Sequence, residues 1–196
     1  NFFLGISAGL PLALVFGTLT IWMAKVGVDK TTVGLFSAVT LPYALKFLWA
    51  PVIDRAPFPV LSRFLGQRRG WTVASQLALM AAIPAMALTD PAASPWMMGL
   101  FALLVSFCSA SQDIVIDAYR VELLEEEKIG AGASMYIFGY RIGLLIAGAG
   151  ALNMVGGLGW SVVYFIMAAF ILIGLVTILL SREPQHGADE ETAARE

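Results

Sequence analysis

Charge is what this sequence has least of: Asp, Glu, Lys and Arg make up only 13% of its 196 residues, against about a quarter in an ordinary soluble domain. That scarcity excludes a conventional water-soluble fold. Cysteine occurs once, as Cys108 inside an apolar run, so neither a disulfide framework nor a cysteine-based metal site can form within the chain. Histidine also occurs once, as His186 among acidic residues, and a lone histidine there makes no site. No basic patch interleaved with aromatics is present, which removes the nucleic-acid readings. The sequence opens on Asn1 and runs directly into Phe2-Phe3-Leu4, without the basic region and small-residue cleavage site of a signal peptide. Its start reads as truncated.

Apolar residues are abundant, at 59% of the chain with a mean hydropathy of +0.80, and they fall into long runs separated by short polar stretches. About 20 apolar residues cross the hydrocarbon core as a helix, and six runs of that kind are present. They extend from Phe2 to Ala24, Val33 to Ile53, Trp71 to Leu88, Trp96 to Tyr119, Ala131 to Asn153 and Trp160 to Leu180. The prediction is an all-α membrane protein, with a six-helix bundle over 1–180 and a polar tail or linker over 181–196 that holds Pro184, Gly187 and Asp189-Glu190-Glu191. Arg55, Arg63, Arg68, Arg69, Arg120, Lys128, Arg182 and Arg195 fall on one side of the predicted bundle, and only Lys25 and Lys30 on the other. The positive-inside rule therefore places both termini in the cytoplasm. Trp71, Trp96 and Trp160 each stand at the start of a span, where an indole favours the headgroup level.

Within those spans stand four ionisable residues: Lys46 in the second, Asp113 and Asp117 in the fourth, and Arg141 in the fifth. A charge at the bilayer centre costs at least about 3 kcal/mol, so such residues usually face a bundle interior or an aqueous cavity. At about 100° per residue, Ser106, Ser109, Asp113, Asp117 and Arg120 share one stripe of the fourth helix. This stripe has two readings. It is the wall of a cavity in which Asp113 and Asp117 handle a proton, or it is an ion-pair lattice in which Asp117, Arg120, Asp54 and Arg55 latch helix ends. Helices three and six carry no charge inside their spans and are expected to face lipid. If the six helices form two inverted triplets, the second corresponds to the fifth, and each has a tyrosine near its cation: Tyr43 with Lys46, Tyr140 with Arg141. Gly5 and Gly9, with Gly139, Gly143 and Gly148, permit close helix approach.

The loop after the second span opens Asp54-Arg55 and closes Gly66-Gln67-Arg68-Arg69-Gly70, which resembles the major facilitator signature with an insertion between its parts. More specific are Leu41-Pro42-Tyr43-Ala44-Leu45-Lys46-Phe47-Leu48-Trp49-Ala50-Pro51, Ser111-Gln112-Asp113 followed by Asp117-Ala118-Tyr119-Arg120, and Gly139-Tyr140-Arg141-Ile142-Gly143. Together they resemble the AmpG muropeptide permease family of the major facilitator superfamily. The resemblance implies a proton-driven symporter of the bacterial inner membrane that imports anionic anhydromuropeptides for cell-wall recycling. This chain would be its N-terminal six-helix half, a 3+3 inverted repeat, partnered by the lipid bilayer and by a C-terminal half. Transport then rests on Asp113 and Asp117 for proton coupling, on Lys46, Arg141, Tyr43 and Tyr140 for substrate, and on Asp54, Arg55, Arg120, Arg68 and Arg69 as a cytoplasmic latch. No cofactor and no metal is expected.

Two alternatives stay open at this level. Eukaryotic acetyl-CoA transporters share a similar pattern, and acetyl-CoA is also anionic. A membrane enzyme could use Asp113-x3-Asp117 to hold a metal, but the further acids it would need on an adjacent helix are missing, because the other intramembrane charges are basic. A purely structural subunit would need less polarity in its interior.

Overall fold

A computed structural model describes residues 1–183, the side chain of Glu126 excepted. The predicted tail from 184 onward, with His186, lies outside the described residues. Six helices long and apolar enough to cross a membrane are present: α1 Phe2–Lys25, α2 Lys30–Leu48, α3 Gln67–Ala87, α4 Pro95–Leu123, α5 Glu127–Leu158 and α6 Trp160–Leu180. Most outlast the apolar runs by a few residues, because polar residues near a helix end find partners there and do not stop it. Asp117 and Arg120, one turn apart in α4, pair with each other at 3.0 Å.

The second span departs most from expectation. It is α-helical over Lys30–Leu35, 3-10 over Phe36–Thr40, α-helical over Leu41–Leu45 and 3-10 again over Lys46–Leu48. A turn at Trp49 leads into a short helix, Ala50–Arg55, with Pro51 in its first turn. Proline has no N–H for the helical ladder, so Pro42 and Pro51 fit only where the regular bonding is already interrupted. At its start Asp29 accepts from the Thr32 N–H at 2.9 Å and caps the first turn.

Two other helices contain a π-helical stretch, Leu14–Thr18 in α1 and Ile146–Gly150 in α5. Wide turns loosen the backbone ladder, and in an apolar environment the freed carbonyls need other donors. Here they find them in neighbouring helices. Thr18 Oγ1 donates to the Ala147 carbonyl at 2.7 Å, and the buried Tyr164 hydroxyl donates to the Leu14 carbonyl at 3.1 Å.

Helices leaving lipid for one another gain little from the hydrophobic effect, so association depends on close contact. The tightest contact joins α1 to α5. A Cβ on Gly5 would collide with the Tyr136 carbonyl oxygen and one on Gly9 with that of Tyr140, while Gly139 and Gly143 press reciprocally on the carbonyls of Phe2 and Ile6. Four glycines at spacings of four thus bring two backbones together with no side chain between them. Gly148, predicted to serve the same purpose, faces open space and belongs to the π stretch. The main apolar core lies among α1, α3, α4 and α6, around Leu10, Leu14, Leu79, Met86, Val105 and Met167. The expectation that α3 and α6 face lipid therefore holds for only part of each: Leu77, Leu172 and Val176 are exposed, whereas Leu79, Ile83, Tyr164 and Ile171 are fully buried.

Candidate functional site

The polar residues of α2, α4 and α5 converge on one cleft of about 470 Å³, lined by Lys46, Asp113, Asp117, Tyr136, Ile137, Tyr140, Arg141 and Leu144. The break in α2 puts Lys46 at the first residue of its second 3-10 segment. On α4, Asp113 and Asp117 lie one turn apart and share a face. On α5, Tyr136 and Tyr140 do the same, with ring centroids 6.2 Å apart, and Arg141 follows immediately.

Each carboxylate has a different setting. Asp117 is half exposed and is held by Arg120, whose guanidinium also lies over the Tyr136 ring, 4.8 Å from its centroid. Asp113 is deeper; its Oδ1 is buried and has no hydrogen-bond partner. Among the described residues no carboxylate lies within 4.0 Å of Lys46 or Arg141, so the two cations reach the cleft unpaired. The cleft thus offers two positive groups outside any close ion pair, one acid held by Arg120, and a second acid, Asp113, that Lys46 faces at longer range, on walls rich in tyrosine.

Of the predicted substrate residues, Lys46, Arg141 and Tyr140 line this cleft together with Asp113 and Asp117. Tyr43 does not line it. Its hydroxyl is buried beside Ser109 and Asp113. Tyr136 was not singled out, although its spacing of four from Tyr140 put both on one helix face. At the opposite end of the bundle a second cavity, about 320 Å³, lies under the stacked indoles of Trp22 and Trp160.

Of the residues expected to form a latch, the structure joins Asp54, Arg68 and Arg69 to partners at this end of the bundle. Arg68 bridges Asp54 at 2.7 Å and Glu122 at 2.5 Å, joining the α2–α3 connection to the end of α4. Gln67 donates to the carbonyls of Ile53 and Asp54 at 3.2 and 2.7 Å. Arg69 reaches the last carbonyls of α6, those of Ile178 and Leu179, at 3.1 and 2.8 Å. Glu183 answers from the other chain segment: its carboxylate accepts the backbone N–H groups of Arg68 and Arg69, at 2.9 and 3.2 Å, and so caps α3. Gly66 makes that approach feasible, since its φ is +87° and any Cβ there would meet the Glu183 carboxylate. Arg120 stands beside the cleft on Asp117 and Tyr136 and takes no part in this cluster, and among the described residues Arg55 makes no ion pair. Gln67, Glu122 and Glu183 are the members that sequence reasoning missed.

The chain matches the Major Facilitator Superfamily over residues 2–196. It is 44% identical to the anhydromuropeptide permease of Escherichia coli strain K12 over 182 residues, which cover 92% of this chain and 36% of that protein. An uncharacterized protein of Haemophilus influenzae is 39% identical over 184 residues, covering 93% of this chain and 42% of its own length. A Rickettsia conorii protein bearing the transporter name AmpG 1 is 34% identical over 176 residues, covering 90% of this chain and 42% of its own. The chain therefore spans less than half the length of each of these relatives.

Proposed function

The chain belongs to the major facilitator superfamily, and from that premise we propose that it forms the N-terminal half of a proton-coupled permease that imports anhydromuropeptides. The observation that carries this reading is the pair of cations outside any close ion pair, Lys46 and Arg141, in a tyrosine-lined cleft shared with a buried acid. Peptide carboxylates would pair with the ammonium of Lys46 and, in bidentate fashion, with the guanidinium of Arg141. Tyr140 and Tyr136 offer ring faces and hydroxyls to the sugars. The name of the Escherichia coli relative supports the substrate class.

No bond of the ligand is made or broken in such a protein; the work lies in exposing one site to each side of the membrane in turn. Asp113 is the coupling group in this reading. It takes a proton on the outer side, is neutral while the cleft reorients, and returns the proton to the cytoplasm. Asp117, already neutralised by Arg120, serves to position the wall. The end of the bundle that holds Arg63, Arg68, Arg69, Arg120 and Arg182 is cytoplasmic by the positive-inside rule, and the membrane is the bacterial inner membrane. A second six-helix half closes the cleft over α2 and α5, where Leu41, Phe47, Leu48, Ile137 and Phe138 stand exposed.

The test is uptake of labelled anhydromuropeptide into vesicles bearing the complete transporter, with and without a proton gradient, and with acetyl-CoA as competitor. Gradient-dependent uptake that acetyl-CoA leaves unchanged is expected, and Asp113→Asn is expected to abolish accumulation at normal membrane levels. Full accumulation by that variant would sink the coupling role. Preference for acetyl-CoA would reassign the substrate.

A further inference from the structure

Away from the cleft, the four-helix core contains a polar layer that transport through the cleft does not use. Ser7 in α1, Gln76 in α3 and Gln112 in α4 are all 0% exposed. Ser7 Oγ and both polar atoms of each amide have no hydrogen-bond partner. Gly174 in α6 completes the layer, because a Cβ there would run into Gln76 Nε2 and Ser7 Oγ. The room left by its missing side chain is taken up by those two polar groups, which brings them close together.

Helical spacing shows that this is a single level. Leu4, Val73, Ile116 and Ile178 form one apolar cluster, and three or four residues along each helix from them stand Ser7, Gln76, Gln112 and Gly174. Another three or four residues in the same direction stand Leu10, Leu79, Cys108 and Ile171, which belong to the main core. Each step is about one turn, or roughly 5.4 Å. A polar slab is thus closed above and below by apolar layers. Pro11 adds to its demand, since it lacks the N–H that the Ser7 carbonyl would accept in a regular helix.

Buried amides left without partners are costly, and native interiors satisfy them with protein groups or with ordered water. No cation or anion in the layer matches what these groups ask for. A metal ion would meet amide N–H hydrogens as well as oxygens, and an anion would find no positive charge. Water supplies donors and acceptors together, and it bridges two to four polar groups when buried. We propose that the level of Ser7, Gln76, Gln112 and Gly174 is an internal water site that joins α1, α3 and α4 through the core of the bundle. The site stands independently of what the cleft transports.

The test begins with a structure of the complete transporter at a resolution that shows solvent. At least one ordered water is expected within about 2.7–3.2 Å of Gln76 and of Gln112 or Ser7; amides bonded directly to each other with no density between them would overturn the site. Thermal unfolding of the full chain provides the second arm. Gln76→Leu and Gln112→Leu are each expected to lower Tm by stranding the other amide, whereas Q76L/Q112L recovers at least about half of the summed loss by leaving a dry layer. Additive losses would count against a shared water. Replacing sodium by choline is expected to leave Tm unchanged, and a sodium-dependent rise would assign the layer to a cation instead.

Discussion

Arg141 and Lys46 present two kinds of positive charge to one cleft, a planar fork and a compact ammonium. If Arg141 grips a carboxylate bidentately, Arg141→Lys keeps the charge and loses the fork. Charge-assisted hydrogen bonds contribute about 1.5–3 kcal/mol, so Arg141→Ala should raise the KM for anhydromuropeptide by about 10- to 100-fold, with the lysine variant in between. Equal KM values for all three proteins would remove Arg141 from the binding surface. At this scale the charged half of the site was legible, because a Lys, an Arg or an Asp inside an apolar run is too expensive to be incidental. Tyr136 was not, since one tyrosine between Met135 and Ile137 looks like packing material. Glu122 and Glu183 were hidden for the opposite reason: acids at the ends of membrane spans are common, and nothing in their spacing says that both would converge on the Arg68–Arg69 pair.

Between α3 and α6 the helix ends satisfy each other, Glu183 capping the start of one and Arg69 the end of the other. Burial pushes the Glu183 carboxyl above its ordinary value of 4.5, and the two backbone N–H bonds and Arg69 only partly offset it. The folded chain therefore holds this proton more firmly than the unfolded chain does. Stability from this group is present below about 4.5 and falls as pH rises from there through the higher folded value. Glu183→Gln should flatten that part of the Tm-against-pH curve of the intact transporter, and an unchanged slope would show that another group sets it. Glu183→Ala, which removes the cap outright, should cost about 0.5–2 kcal/mol in the same assay. The existence of α1 to α6 was legible because hydropathy alone reports a run of some 20 apolar residues. The segmentation of α2 was not. Pro42 and Pro51 marked where the ladder weakens, but the 3-10 stretches around Ser37 and Phe47 depend on tertiary neighbours.

Across the whole bundle, α1, α3, α4 and α6 supply most of the buried core, to which α2 adds Phe36 and Val39 and α5 adds Ala147 and Ala151. In the complete transporter, backbone hydrogen exchange should therefore be slowest in α3 and α4 and faster by about tenfold or more in the interrupted α2; the reverse order would mean that the break in α2 is held shut by the other half. Hydropathy could not say which helices touch. Glycine spacing could, because Gly5, Gly9, Gly139 and Gly143 fall four apart on two helices, and only a close crossing makes use of that. Gly143→Ala should cost about 1–3 kcal/mol by overpacking, whereas Gly148→Ala, which meets open space, should stay within about 0.5 kcal/mol in thermal unfolding. The crossing of α1 on α5 has a mechanical corollary. Two backbones in direct apposition have no rotamers to rearrange, so the joint cannot stretch by degrees or settle into a neighbouring packing. It holds whole or it parts whole. During any rocking of the molecule α1 and α5 would travel as a single plank, carrying Tyr136, Tyr140 and Arg141 past the cleft in unchanged relation to one another, and the compliance that the motion requires would be found in the segmented helix opposite.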